Sequence, residues 1–170
     1  MKRRLLLATP FLLAAARAKA QAWTEYRTDD GRFRVQLPAA PAVQKSTITV
    51  AANETAPTVE AVARAPGVTY QVLAIAYPRR IAQQASTDIT LDHFRNNLAA
   101  GHTYRNEKPV TLGRVAGREF LLVEQGGRNV AVRLFWSRAT LYSLMVSGAA
   151  GIEARPETRR FLESFEAIPV

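Results

Sequence analysis

Histidine, serine and carboxylate residues can carry out acid–base, nucleophilic or metal chemistry, and this sequence holds them in no catalytic spacing. The two histidines, His93 and His102, form no HxH, HxxxH or HExxH pattern, the kind of cluster that metal sites use. We expect both at the surface and expect no metal site. The sequence has no G-x-S-x-G elbow, no GxGxxG or GxxxxGK[ST] loop and no cysteine. These observations predict a protein that is not an enzyme and binds no cofactor.

Arginine is the residue type that could recognise a ligand. Residues 21–170 contain sixteen arginines and two lysines, and the planar guanidinium group suits carboxylates and phosphates. The candidates for an anion-binding site are Arg79 and Arg80, in a predicted loop, and Arg133 and Arg138, in a predicted strand. The alternative is that the arginines reflect a GC-rich genome and keep the surface soluble.

The first twenty residues have the pattern of a secretory signal peptide. Residues 1–4 are cationic, residues 5–16 form a mostly apolar run, and an A-x-A motif ends at Ala20. A membrane-spanning helix needs about 20 apolar residues, so we expect no stable insertion after cleavage. Cleavage is predicted after Ala20 or after Ala22. The adjacent arginines of the head fit either an ordinary leader or the twin-arginine route, and the product is expected to be periplasmic or secreted.

Much of the positive charge belongs to this leader. The chain has 23 Lys and Arg against 14 Asp and Glu, a net charge of +9. Residues 1–20 hold five of the basic residues and no acidic one, which leaves +4 for residues 21–170. So small an excess is not a nucleic-acid footprint, and we expect no nucleic-acid partner. Residues 21–170 have the usual size of a single domain.

The polar and apolar pattern predicts both strands and helices. Residues 33–37 alternate without a break, which places Phe33, Val35 and Leu37 on one face of a strand. Further strands are predicted at 44–51, 58–64 and 68–77, and an antiparallel meander at 118–125, 129–138 and 140–148. Helices are predicted from the stripes Leu91, Phe94, Leu98 and Thr158, Phe161, Leu162, Phe165. Residues 78–87 are predicted as a loop, and residues 167–170 as a tail that pairs with or packs on a sheet.

Three local motifs occur in the order of a known family. They are F-x-V-x-L-P-x-x-P at 33–41, LYSLMVSG at 141–148 and RRFLESFEAI at 159–168. The chain thereby resembles the Mog1/PsbP-like superfamily, especially its exported bacterial members of unknown function. The resemblance implies an α+β fold, with an antiparallel sheet flanked by helices in an α/β/α sandwich. It also implies a non-enzymatic role, since members act mainly as binding or accessory proteins for photosystem or small-GTPase partners.

Export excludes a cytosolic GTPase as the partner, and nothing in the chain points to photosynthesis. We therefore expect an exported, soluble, non-catalytic accessory or protein-binding domain of the bacterial cell envelope, whose partner is an unidentified envelope protein. One alternative is a small-ligand or lipid carrier with a pocket between helix and sheet, suggested by the apolar run 68–77. Another is a hydrolase whose site is dispersed along the sequence.

Overall fold

The computed structural model describes residues 22–168. The predicted signal peptide, residues 1–20, lies outside them, as do the last two residues of the predicted tail. The strands are β1 (Thr24–Arg27), β2 (Phe33–Leu37), β3 (Ala42–Ala51), β4 (Glu54–Ala65), β5 (Val68–Ala76), β6 (Thr103–Leu112), β7 (Val115–Val123), β8 (Arg128–Ser137), β9 (Thr140–Ala149) and β10 (Glu166–Ala167). The helices are α1 (Arg79–Gln84), α2 (Thr87–Leu98) and α3 (Pro156–Glu163), with a 3₁₀ turn at Ile152–Ala154.

The described strands form two sheets. The small sheet has the order β1-β2-β10, and the large one the order β3-β4-β5-β9-β8-β7-β6. Every pairing is antiparallel. The predicted meander is confirmed, because β7, β8 and β9 are neighbours in the large sheet. Antiparallel sheets with three helices in residues 22–168 make the fold α+β, as predicted.

One face of the large sheet packs against β2 and α3. Phe33, Val35 and Leu37 of β2 are each at most 1% exposed, which confirms the alternation predicted for this strand. The predicted stripe of α3 is likewise buried, and its apolar members Phe161, Leu162 and Phe165 join the same apolar cluster. Phe165, just after α3, stacks on Phe135 of β8 with ring centroids 6.1 Å apart. Aromatic side chains therefore supply much of the apolar surface buried in this layer.

The opposite face of the large sheet packs against α2. Leu91 of α2 is 1% exposed and shares an apolar cluster with Phe120, Val132 and Leu134. The alternation along β8 separates the two clusters, since Leu134 and its neighbour Phe135 point to opposite faces.

Ion pairs also hold α2 against the β6–β7 edge. The Arg118 guanidinium lies 2.6 Å from Asp92 and 2.9 Å from Glu107, and Arg95 lies 2.7 Å from Glu107. Burial raises the pKa of the Glu107 carboxyl, but the hydrogen bonds from Arg118 and Arg95 outweigh it and leave that pKa below its usual value. These arginines therefore serve the fold.

Two elements differ from the sequence prediction. The stretch predicted as a loop contains α1, whose six residues are too few to display an apolar stripe. Strand β6 was not predicted at all. It is the last strand of the large sheet, almost wholly exposed, with a register shift between Arg105 and Lys108 and a proline at position 109. Alternation is absent because neither face of this strand is buried.

Candidate functional site

A cleft with a volume of about 1120 Å³ lies at one end of the large sheet. We call it the arginine cleft. It lies where β5 ends, where β6 turns into β7 and where β8 turns into β9. It is lined by Arg32, Ala76, Tyr77, Arg79, Ala82, Gln83, Leu112, Arg114, Val115, Trp136, Ser137, Arg138, Ala139, Thr140, Tyr142, Ala167 and Ile168.

Short connections position these side chains. Strand β5 ends at Ala76, and the Tyr77 backbone N–H donates to the Ala139 carbonyl at 2.7 Å, which joins the start of α1 to the β8–β9 turn. On the other side, the Ile168 N–H donates to the Arg32 carbonyl at 2.7 Å. Backbone hydrogen bonds therefore connect the segments that line the cleft, although these segments are far apart in the sequence.

The charge of the cleft is entirely positive among the described residues. Its lining includes four arginines and no aspartate or glutamate. Arg32 lies 2.9 Å from Asp30, outside the lining. Neither Arg79 nor Arg114 forms an ion pair with any residue in the range 22–168. The guanidinium groups of Arg79 and Arg114, which face the cavity, are therefore able to attract anions.

Aromatic rings lie beside these charges. Trp136, which is 9% exposed, meets Tyr77 edge to face with ring centroids 5.3 Å apart. Burial raises the pKa of the Tyr77 hydroxyl and of the Tyr142 hydroxyl. Both phenols therefore stay protonated near neutral pH and can donate hydrogen bonds.

The structure separates the four arginines that the sequence suggested. Arg79 and Arg138 line the arginine cleft. Arg80, the neighbour of Arg79, instead forms an ion pair with Glu54. Arg133 forms an ion pair with Glu119 and donates to the Leu162 carbonyl at 3.1 Å, which ties β8 to α3.

Two arginines of the cleft, Arg32 and Arg114, are not among the candidates that the sequence suggested. Arg114 follows Gly113, whose φ is +59°, in the β6–β7 turn. The sequence shows Gly113 and Arg114 as part of a turn, but it gives no sign of the strand β6 that precedes them. The β6–β7 hairpin, which carries Arg114 to the cleft, is therefore not predicted.

The histidines lie away from the cleft. Both are exposed, as expected, and the His93 ring pairs with the Asn97 amide at 3.0 Å. In the described part of the chain no three His, Cys, Asp or Glu residues are grouped as metal ligands would be. Nor does any helix between residues 22 and 168 combine the length and apolarity that crossing a membrane requires.

Comparison with known proteins bears on the fold. No protein-family model and no curated protein matches the chain. Among solved structures, cyanobacterial PsbP (CyanoP) from Synechocystis sp. PCC 6803 is similar with a TM-score of 0.55 and 10% identity, over 92% of this chain and 99% of that one. A protein of unknown function from Pseudomonas aeruginosa, PA94, has a TM-score of 0.43 and 10% identity over 87% and 99%.

The second likeness has too low a TM-score to support a conclusion. The first extends over nearly all of both chains, and at 10% identity it shows the fold alone. The fold is that of PsbP, so this chain has the Mog1/PsbP-like fold that its sequence motifs indicated.

Proposed function

We propose that this protein is exported to the bacterial cell envelope and acts there as a non-catalytic accessory protein, which binds another envelope protein through the arginine cleft. The observation that carries the proposal is the cleft itself, where four arginines face one cavity whose described lining contains no acid. A guanidinium group stays protonated at physiological pH and only donates hydrogen bonds. The cleft is therefore suited to hold an anionic group rather than to exchange protons with a substrate.

Two further features support the proposal. The leader pattern of residues 1–20 supports export. The Mog1/PsbP-like fold supports an accessory role, since members of that superfamily act mainly as binding or accessory proteins. We also infer that the molecule is an α/β/α sandwich. The packing of α2 and α3 in the clusters on opposite faces of the large sheet supports that arrangement.

The test is capture of the partner from a periplasmic extract by three forms of the protein. The cleft variant is Arg79→Glu/Arg114→Glu. The matched control is Arg64→Glu/Arg105→Glu, which changes the net charge equally at two exposed arginines near the opposite end of the sheet. We expect the wild type and the control to retain the same protein, and the cleft variant to retain about tenfold less, as loss of charge-assisted hydrogen bonds requires.

Equal capture by all three forms would overturn the proposal. Thermal unfolding of each form checks that the substitutions leave the fold intact. Because the four replaced arginines are exposed, we expect the three midpoints to be similar.

The cleft also favours one second candidate, a carrier of a small anionic ligand. The α1 residues Arg79, Ala82 and Gln83 line the cleft opposite the end of the sheet, so the cavity does lie between helix and sheet. The apolar run 68–77 contributes little, because most of it is core and only Ala76 and Tyr77 reach the cleft. A small molecule that stays bound in a native mass spectrum of the periplasmic protein would favour the carrier.

A further inference from the structure

The large sheet has two edge strands, β3 and β6, whose outer sides pair with no other strand of residues 22–168. Such an edge presents a row of unpaired backbone N–H and C=O groups, which can form hydrogen bonds with a strand of another chain. Proteins usually prevent that pairing with charges, prolines or β-bulges along the edge strand. The two edges of this sheet differ in how many of these protective features they carry.

The β6 edge carries several of them. Arg105, Glu107 and Lys108 place three charges within four residues, and the register of the strand shifts between Arg105 and Lys108. Pro109 follows directly and has no backbone N–H group to donate. This edge is therefore poorly suited to pairing with a further strand.

The β3 edge carries almost none of them. Its ten residues, Ala42–Ala51, include one charged residue, Lys45, and no proline, and its register shift lies near the end of the strand, between Thr49 and Ala51. Half of its residues are valine, isoleucine or threonine, the β-branched types that favour strands. Nothing in the composition of β3 therefore opposes pairing with another strand.

The side chains of β3 are also open to solvent. Nine of its ten residues are exposed. Val43 is 44% exposed and Ile48 is 38% exposed, and they are two of the four large apolar side chains that are exposed in the described part of the chain. They lie on opposite faces of the sheet, because an odd number of positions separates them. A strand placed beside β3 would cover part of both.

The sequence of β3 is suited to pairing with a second copy of itself. In an antiparallel pair about a two-fold axis at Thr47, each Thr47 lies opposite its own copy, and threonines opposite one another form a favourable pair. Lys45 then lies opposite Thr49. The two lysines are therefore about 13 Å apart along the strands, which exceeds the Debye length of about 8 Å at physiological ionic strength.

Charge favours a second copy over a strand of a different protein. An edge that selects a foreign strand does so by side-chain pockets or by charges, and the one charged group of β3, the Lys45 amino group, already lies 2.7 Å from Asp29 of its own chain. A two-fold contact needs no such selection, because the same surface patch supplies both sides of it.

We infer that this protein forms a symmetric dimer in which β3 pairs antiparallel with β3 of a second copy, about an axis at Thr47. The two large sheets then become one continuous sheet. The contact lies on a different strand from any that lines the arginine cleft, so the dimer does not depend on the proposed function.

The experiment measures the mass of the purified protein by sedimentation velocity, from low micromolar to submillimolar concentration. We expect a monomer–dimer equilibrium. The variants Thr47→Glu and Thr47→Lys each place two like charges opposite one another at the axis, so each alone should weaken the dimer about tenfold or more. An equimolar mixture of the two variants should dimerise again, because the mixed pair joins opposite charges. A misfolded variant could not recover in this way.

Two controls accompany these variants. Thr103→Glu makes the same change of charge at an exposed threonine of β6, the other edge strand, and should leave the dimer as tight as in the wild type. Arg79→Glu/Arg114→Glu should also leave it unchanged, because neither arginine lies on β3.

Several results would overturn the inference. One is a wild type that stays monomeric throughout, and another is a dimer that Thr47→Glu leaves unchanged or that Thr103→Glu weakens equally. Failure of the mixture to dimerise, when each variant alone is monomeric, would overturn the pairing about Thr47. Assemblies larger than a dimer would contradict a closed two-fold contact. A monomer that loses capture of the envelope partner in Thr47→Glu would assign this edge to that partner instead.

Discussion

Replacing Arg133 with methionine distinguishes an arginine that serves the fold from one that serves a ligand. Arg133 is one of the four arginines that the sequence suggests for an anion-binding site, but its guanidinium forms an ion pair with Glu119 and donates to the Leu162 carbonyl in the last turn of α3. We therefore expect Arg133→Met to destabilise the protein and to leave binding in the arginine cleft unchanged.

The structure sets the size of the effect. The Arg133 and Glu119 side chains are each 19% exposed, so their charge-assisted hydrogen bond contributes about 1.5–3 kcal/mol and the bond to the carbonyl about 0.5–1.5 kcal/mol. Methionine keeps part of the aliphatic packing, and Lys108 remains 2.8 Å from Glu119. The net loss should be about 2–3 kcal/mol, which lowers the midpoint of thermal unfolding by roughly 5–10 °C in a chain of this size.

The loss of unfolding free energy in Arg133→Met should also depend on pH. Burial raises the pKa of the Glu119 carboxyl, but hydrogen bonds from Lys108 and Arg133 outweigh it and leave the pKa lowered in the folded protein. A carboxyl with a lowered folded-state pKa contributes stability above its unfolded pKa, about 4.3, and loses it as the pH falls through the folded value. The difference between wild type and Arg133→Met should therefore be full at pH 7 and shrink at about pH 3.

Urea unfolding at both pH values measures these differences. The control is Arg128→Met, because Arg128 is 54% exposed and lies 3.8 Å from Glu124, so its ion pair should contribute less than about 1 kcal/mol. A variant Arg133→Met that is as stable as Arg128→Met would contradict a structural role for Arg133, and so would one that keeps its stability and no longer captures the partner protein. The second result would make Arg133 a binding residue.

Two other substitutions test the packing and the ion pairs. Gly117→Ala should cost about 1–3 kcal/mol in urea unfolding, because its Cβ would lie 2.4 Å from a backbone oxygen and from the Phe135 ring. Gly148→Ala should cost less, since its Cβ would come no nearer than 2.9 Å to the Ile152 side chain and would meet no backbone atom. Arg118→Met should cost about 1–2 kcal/mol at neutral pH and less in acid, since the lowered pKa of Glu107 depends on that guanidinium. Equal losses for the two glycines, or a pH-independent loss for Arg118→Met, would contradict the geometry.

The elements with one buried face were predictable from the sequence. Strand β2 alternates because one side faces the core, and the α3 stripe repeats because that side packs on the sheet. Strand β6 was not predicted, because polar and apolar residues alternate only where one face of a strand is buried. Both faces of β6 are exposed. The short helix α1 was not predicted for a related reason, since none of its residues is buried.

The arginine cleft was predictable only in part. Arg79 and Arg138 were recognised as candidates from residue type alone, but Arg114 depends on a hairpin whose first strand lacks a pattern. Arg80 and Arg133 have the same chemistry as the cleft residues, but in the folded chain they form ion pairs with Glu54 and Glu119. Glu54 lies 26 residues from Arg80 in the sequence, so only the folded chain reveals the pairing.

The positions of the arginines in the folded chain bear on the origin of the arginine bias. A GC-rich genome would raise the number of arginines without regard to where acids lie in space, and the excess would be spread over the surface. Arg64 and Arg105 fit that description, because both are exposed and neither lines the arginine cleft. Arg79 and Arg114 do not fit it. They belong to distant segments of the sequence but line the same cleft, and the described lining of that cleft includes no acid. Comparing the two pairs in one binding assay therefore separates compositional bias from function.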